Sequence, residues 1–525
     1  MKRLLLLLLL LAGFRIQAAE WQWSLPLQGV VSAETGAAPR VYLWIPPASE
    51  RLRGVVVGQH NMSEEQLFEH PLFRRRMAAL DFAIVWITPI LDMSWNPESG
   101  CQQVFDRMLA DLAAASGYDE LAEVPVVPVG HSAQATFPWN FAAWNPDRTL
   151  AVVSLHGDAP RTNLTGYGRA NIEWGRTRNI DGIPGLMIEG EYEWWEARVR
   201  PALAFRMFYP GSCISFLGDA GRGHFDLADA TVDYIARFLE KAVEQRAGTP
   251  LRRIAPATGW LAERWYPEQT RRAKPAPVAK YKGDPHDAFW YFDREMAEMA
   301  EQRYAETRNK RPSCIGFSQQ GAPLPYDEKL HARIRGRFHP EADGITFRLN
   351  AFFSDSLHRP LSEKHPAGAP RIGRICGPVE QLDDTTFRVC FGRGTIDNAR
   401  RGSELWLLAE HPGDRRCKSA VQQLLITIPH RNTEGREQHI DFPPLPDVRL
   451  SDKAPMLAAR SDAGLPVSCF VEEGPAEIRD GILHFTPIPS RARLPLRVTV
   501  VAWQYGIADS VRSAESVRRS FHIIR

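Results

Sequence analysis

Val129-Gly130-His131-Ser132-Ala133-Gln134 lies between a buried-looking apolar run and an amphipathic stretch. The run 124–130 is almost continuously apolar, as a strand covered on both faces requires, whereas 133–144 spaces its apolar residues by three and four. A strand that turns sharply into a helix needs small residues beside its apex, and it pushes the apex side chain outward. Ser132 occupies that apex. The amide of Ala133 falls at the helix start, where backbone N–H groups have no intrahelical acceptor. Pro125 and Pro128 are awkward in a central strand and blur its limits.

The same alternation extends to both sides. Strands are expected at 40–45, 54–60, 82–88, 150–156, 185–189 and 213–218, with helices at 64–80, 101–116 and 225–244. Apolar strands alternating with amphipathic helices predict an α/β fold, a mostly parallel sheet covered by helices, over residues 20–245. Patterning then fades through 246–285, which is rich in Arg, Lys and Pro and reads as an extended linker over the surface. A helix is expected at 288–308. Beyond it, 286–440 reads as a mixed, mostly β module and 441–525 as a β module with alternating segments and turn residues only.

Composition sets limits on function. The chain has 525 residues, 44% hydrophobic and 24% charged, which suits three or four globular domains of about 150 residues and excludes a largely disordered chain. A net charge of +2 gives no electrostatic footprint for nucleic acid. Residues 21–245 carry −9 and residues 246–525 carry +9, which reads as two solvated surfaces of opposite bias. Met1-Lys2-Arg3, the apolar run 4–14 and Gln17-Ala18-Ala19 have the form of a secretory signal peptide over residues 1–19, cut near Ala19. Eleven apolar residues are too few to span a bilayer, which needs about 20. The mature chain is therefore expected in the periplasm or outside the cell, with no membrane attachment once the signal is removed. The seven cysteines show no zinc-type spacing. A Cys376–Cys390 disulfide fits an exported chain, and buried free thiols are the default.

A serine hydroxyl is a weak nucleophile near neutral pH, so Ser132 needs a base, and the base needs an orienting acid. His224, in Gly221-Arg222-Gly223-His224-Phe225-Asp226, follows the last expected strand and precedes the last helix, at the same sheet edge as Ser132. For the acid, Gly190-Glu191-Tyr192-Glu193 leaves the strand before it. Glu193 is placed first, with Glu191 as its rival and Asp158, after the preceding strand, as the outside alternative. Trp194 and Trp195 adjoin the acid, and one of them is expected as a stacking platform for a sugar or aromatic group. There is no His-Glu-x-x-His helix and no cysteine–histidine cluster, so neither a metal nor another cofactor is expected.

Serine, then acid, then histidine, each after its own strand, resembles the α/β-hydrolase superfamily in its secreted esterase and dienelactone-hydrolase-like branches. The resemblance covers about 225 residues. It implies a serine hydrolase of carboxylic esters, with Ser132, His224 and Glu193 as the triad. It further implies that the Ala133 amide and the amide of Asn61 or Met62, in Gly58-Gln59-His60-Asn61-Met62, hold the oxyanion. The family's elbow usually ends in glycine where this chain has Gln134. Residues 441–525 resemble bacterial immunoglobulin-like modules through Gly464-Leu465-Pro466-Val467, Gly474-Pro475-Ala476 and Val498-Thr499-Val500, which implies a spacer, docking or binding role. The expected partner is a small-molecule or glycan-linked ester. Two other functions are compatible with these residues: a serine peptidase of the same fold, and a non-catalytic glycan-binding or adhesion protein.

Overall fold

The computed structural model describes residues 20–162, 172–193 and 195–525; the signal-peptide expectation falls outside them. Eight strands form the central sheet: β1 (Trp23–Pro26), β2 (Arg40–Trp44), β3 (Gly54–Gln59), β4 (Phe82–Thr88), β5 (Val126–His131), β6 (Val152–Leu155), β7 (Pro184–Gly190) and β8 (Cys213–Asp219). Their order is β1-β2-β4-β3-β5-β6-β7-β8. β2 runs antiparallel to both β1 and β4, and every pairing from β4 onward through β3 to β8 is parallel. The N-terminal part thus resembles an α/β-hydrolase, with a mostly parallel sheet.

Burial on both faces explains the near-continuous apolar runs. Val56, Ile84, Trp86, Val127 and Val129 pack into one core, and Val55, Val57, Val85, Ile87 and Val126 into the other. Helices cover the faces: α1 (Glu64–Glu69), α2 (Pro71–Ala79), α3 (Cys101–Ser116), α4 (Phe137–Trp144), α5 (Trp195–Phe208) and α6 (Asp229–Arg246). The single helix expected at 64–80 is two, because Pro71 cannot continue α1 and instead opens α2, with His70 as its cap. The helix expected at 133–144 begins later, after a 3₁₀ turn over Ser132–Gln134.

Residues 246–285 are not an extended surface linker. Trp260–Glu263 forms β9, which pairs with β10 (Ala276–Pro277) and β11 (Ala288–Tyr291), and α7 (Arg294–Ala305) follows. Trp265, Phe289, Tyr291, Met296 and Tyr304 enter the same core as β8. Tyr291 and Tyr304 donate their hydroxyls to the Phe216 carbonyl of β8 at 2.7 and 3.2 Å. The helix expected from residue 288 therefore starts six residues later, since 288–291 is strand.

The two distal parts form small β sheets. The larger sheet of the middle module joins Arg335–Gly336, Ala420–Thr427, Glu404–His411 and Arg371–Cys376, in that order. Residues 441–525 contain one four-stranded sheet, built on Ser468–Glu473, Leu496–Trp503 and Val517–Ile524 with Val448–Arg449 at its edge. Its apolar residues Phe442, Val471, Val498, Val500 and Phe521 share a core with Phe105, Leu109 and Leu112 of α3. This part is a β accessory module, and helix α3 of the N-terminal part contributes to its core. All seven cysteines are free, Cys376 and Cys390 included.

Candidate active site

β5 delivers Ser132 to the carboxyl edge of the sheet with φ of +52°, a left-handed conformation that side chains rarely hold without support. Two glycines supply the room. A Cβ on Gly130 would lie 2.1 Å from the Gln134 carbonyl oxygen, and one on Gly157 would lie 2.0 Å from the Ala135 Cβ. The tight approach after the turn is thus made by Ala135 against Gly157, which lets Gln134 stand where a glycine is usual. Ala133 occupies the first turn after the strand, where its amide has no acceptor within the turn.

His224 follows β8 and donates or accepts at both ring nitrogens: Nε2 is 2.8 Å from Ser132 Oγ, and Nδ1 bonds Glu193 Oε2. Glu193 reaches it because the two loops touch. A Cβ on Gly190 would lie 2.4 Å from the Gly223 carbonyl oxygen, and the Tyr192 amide donates to the Arg222 carbonyl at 2.9 Å. Serine, histidine and acid, expected together from their order in the chain, are therefore brought into one line. Burial lowers His224 to about 4 despite the Glu193 carboxylate, with His156 and Arg198 acting in the same direction as burial. Burial also opposes ionisation of Glu193, but His156 and His224 outweigh it and hold its carboxyl well below the usual range.

The alternative acids have other partners. Glu191 accepts from the Gly221 amide at 2.8 Å and from Lys418 Nζ at 2.6 Å. Asp158 lies 3.7 Å from Arg198 Nε, with its side chain 1% exposed. Asn61 and Met62 depart from expectation more sharply. Their amides donate to Glu64 Oε2 at 3.0 and 3.1 Å, so both are engaged by a carboxylate and neither is free for an oxyanion in this structure. Glu64 Oε1 also accepts from the His131 amide at 2.7 Å. Burial pushes Glu64 up to about 7 against these amides. Trp194 lies outside the described residues, and of Trp195 only its place at the start of α5 is described.

Four further residues contribute to the site. His156, after β6, bonds Glu193 Oε1 through Nδ1, and Arg198 on α5 donates to Glu193 Oε2 at 3.1 Å and to Glu189 at 2.6 Å. Glu64 organises the loop after β3. Arg401, from the middle module, donates to the Asn61 and His60 carbonyls at 2.8 and 3.2 Å. His156 and Glu64 each leave a strand at the carboxyl edge, as Ser132, Glu193 and His224 do; that shared position was the available signal. Arg401 is remote in sequence and had none.

The middle module roofs the site. Phe225 packs 5.3 Å from Trp406 between ring centres, in a cluster with Ala332, Ile375 and Leu425, against which Met62 also packs. The His331 ring centre is 6.2 Å from that of His224. Ser132 and His224 are 7% and 6% exposed. Among the described residues, the ligand types that converge within 4.8 Å are His156, Glu193 and His224. These atoms already hydrogen-bond one another, and a cation taking them would break the pairing that orients His224 toward Ser132.

No known family pattern matches the chain, and no curated protein is significantly similar in sequence. Solved structures similar to part of it include the fluorophosphonate-binding serine hydrolase FphF of Staphylococcus aureus (14% identity, TM-score 0.29, 42% of this chain and 97% of that one). Est1E from Butyrivibrio proteoclasticus matches at 13% identity and TM-score 0.29, over 40% of this chain and 96% of its own. A ferulic acid esterase matches at 10% identity and TM-score 0.32, over 42% and 97%.

Proposed function

We propose that this chain is a serine hydrolase of carboxylic esters. The carrying observation is the contact line from Ser132 Oγ through His224 Nε2, at 2.8 Å, and His224 Nδ1 to Glu193, built on a strained turn at the end of a buried strand. In this reading Ser132 Oγ attacks the acyl carbon while its proton passes to His224 Nε2. Glu193 stabilises the imidazolium through Nδ1–H, and the Ala133 amide receives the developing oxyanion. Collapse expels the alcohol, which takes its proton from Nε2. Water then attacks the acyl-enzyme with His224 again accepting the proton, and the carboxylic acid leaves as Ser132 Oγ takes that proton back from Nε2. With His224 held to about 4, the imidazole is neutral and able to accept at neutral pH.

Intact-mass labelling with a small fluorophosphonate tests this reading. One adduct on the full chain that vanishes in Ser132→Ala is the expected result, and no adduct on folded protein would overturn it. Acyl esters, including sugar esters, are expected to turn over faster than aminoacyl anilides of matching size; the reverse order would mark a peptidase. Export belongs to the proposal as well, and N-terminal sequencing of the mature protein is expected to begin near Glu20.

A further inference from the structure

We propose that His156 is a positioning residue of this site: it grips one oxygen of Glu193 while His224 takes the other, and so sets both the aim of the acid and the basicity of His224. The inference rests on the reading of Ser132, His224 and Glu193 given above.

His156 Nδ1 bonds Glu193 Oε1 and His224 Nδ1 bonds Glu193 Oε2, so the carboxylate cannot rotate without losing one imidazole. The His156 side chain is 2% exposed, and its Nε2 is buried with no hydrogen-bond partner, so the Glu193 contact is the polar bond the structure supplies to this ring. Its backbone stands at φ +52°, a conformation that bulky residues avoid and that persists where surroundings enforce it. The His156 amide donates to the Ile188 carbonyl of β7 at 2.7 Å, which ties that strained residue to the strand that ends at the acid loop.

Charged and titratable groups face His156 from every neighbouring element. Glu189 and Glu193 come from β7 and its loop, Asp226 from the loop after β8, and His131 from the end of β5, its ring centre 5.6 Å away. The His224 ring centre lies 5.7 Å away, and Arg198 on α5 shares Glu193 and Glu189. Burial opposes charge on His156, but Glu193, Glu189 and Asp226 outweigh it and raise the ring to about 9. One carboxylate therefore already holds an imidazolium and a guanidinium. Burial is the main cause that lowers His224, and the cations His156 and Arg198 on that same carboxylate add to it against the pull of Glu193.

The test compares pH profiles of kcat/KM for an ester in the full chain. His156→Asn offers an amide N–H in place of Nδ1 without the charge. Its acid limb is expected to move upward from about 4 by a unit or more. His156→Phe lacks the donor as well, and its kcat is expected to fall about 10- to 100-fold in addition, because the acid loses its aim. A purely structural His156 would lower stability in both variants and leave the acid limb where it is; that result overturns the proposal. Should His156→Asn not fold, His156→Gln carries the same test. Titration of the His224 ring by NMR in wild type and variant gives a readout free of turnover. A wild type that takes the Ser132 adduct while the His224 titration ignores the substitution sinks this inference alone, whereas a missing adduct sinks the ester-hydrolase reading.

Discussion

Lys418 Nζ lies 2.6 Å from Glu191 Oε1, and so fastens the middle module to the loop that carries Glu193 two residues later. Other ties run alongside. Tyr192 donates its hydroxyl to the Ser419 carbonyl at 3.0 Å, Ser419 Oγ donates to the Gly221 carbonyl at 3.0 Å, and Arg222 pairs with Glu410 at 2.8 Å. The loop that carries Glu193 and the loop that carries His224 are both held from above by the same module.

Lys418→Met leaves the Glu191 carboxylate, 10% exposed, without its cation. Removing one partner of a buried pair costs about 3 kcal/mol, because the remaining charge stays desolvated. A lowered Tm together with a lowered kcat is expected, and Lys418→Met on a Glu191→Gln background is expected to cost much less.

Glu193 and Glu191 are separable by kinetics. Glu193→Gln removes the carboxylate that orients His224 and is expected to lower kcat by about 10³- to 10⁴-fold. Glu191→Gln keeps the shape of a residue that braces Gly221 and Lys418, so its kcat is expected to stay within about tenfold of wild type. Comparable losses from both would refute the assignment of the acid.

Gly218 lies in β8 directly under Trp265, where an added Cβ would sit 2.4 Å from the indole. That indole stacks on Tyr304, whose hydroxyl accepts from the Gly218 amide at 3.2 Å. Gly218→Ala is expected to destabilise the chain by about 1 to 3 kcal/mol, read as a shift in urea midpoint. A neutral outcome would mean that 260–305 does not pack on β8 as described.

Glu64 has its carboxyl raised to about 7 from an unfolded value near 4.5, so the folded chain holds a proton there that the unfolded chain has lost. The stabilisation that this proton gives is complete below the unfolded value and is lost as pH rises through 7. Glu64→Gln mimics the protonated form and lacks that loss. The Tm of the variant minus that of wild type is therefore expected to rise between pH 5 and pH 8; a constant difference would count against a protonated Glu64.

The parallel sheet and the placement of the proposed site residues at its edge were legible because their signals are local. β4 and α3 fall at the expected limits, and the serine, histidine and acid each follow a strand of the expected sheet. What escaped depends on distance in the chain. β1 and α5 went unread: β1 is four residues long, and Pro201 interrupts the helical pattern of α5. The segment 246–285 has a linker's composition, yet Trp265 packs against β8 and α7, and Trp260 and Tyr281 pack against the same core. Nothing at Asn61 or Met62 announces that Glu64 will take their amides, since that turn closes only once α1 starts at Glu64. The role of Arg401 requires a residue 340 positions further along the chain to fold back on Asn61.

The core that Phe105 and Leu112 share with Val498 and Phe521 bears on how such a chain can change over generations. A module that buries its apolar face against its own neighbour cannot be lost, duplicated or exchanged with another gene without stripping the face it leaves behind. Recombination at the apparent seams near 245 and 440 would therefore be penalised twice, once in the donor and once in the recipient. Variation in this lineage is expected to accumulate as substitutions at the contact between modules, with each side adjusting to the other, rather than by the shuffling of whole units.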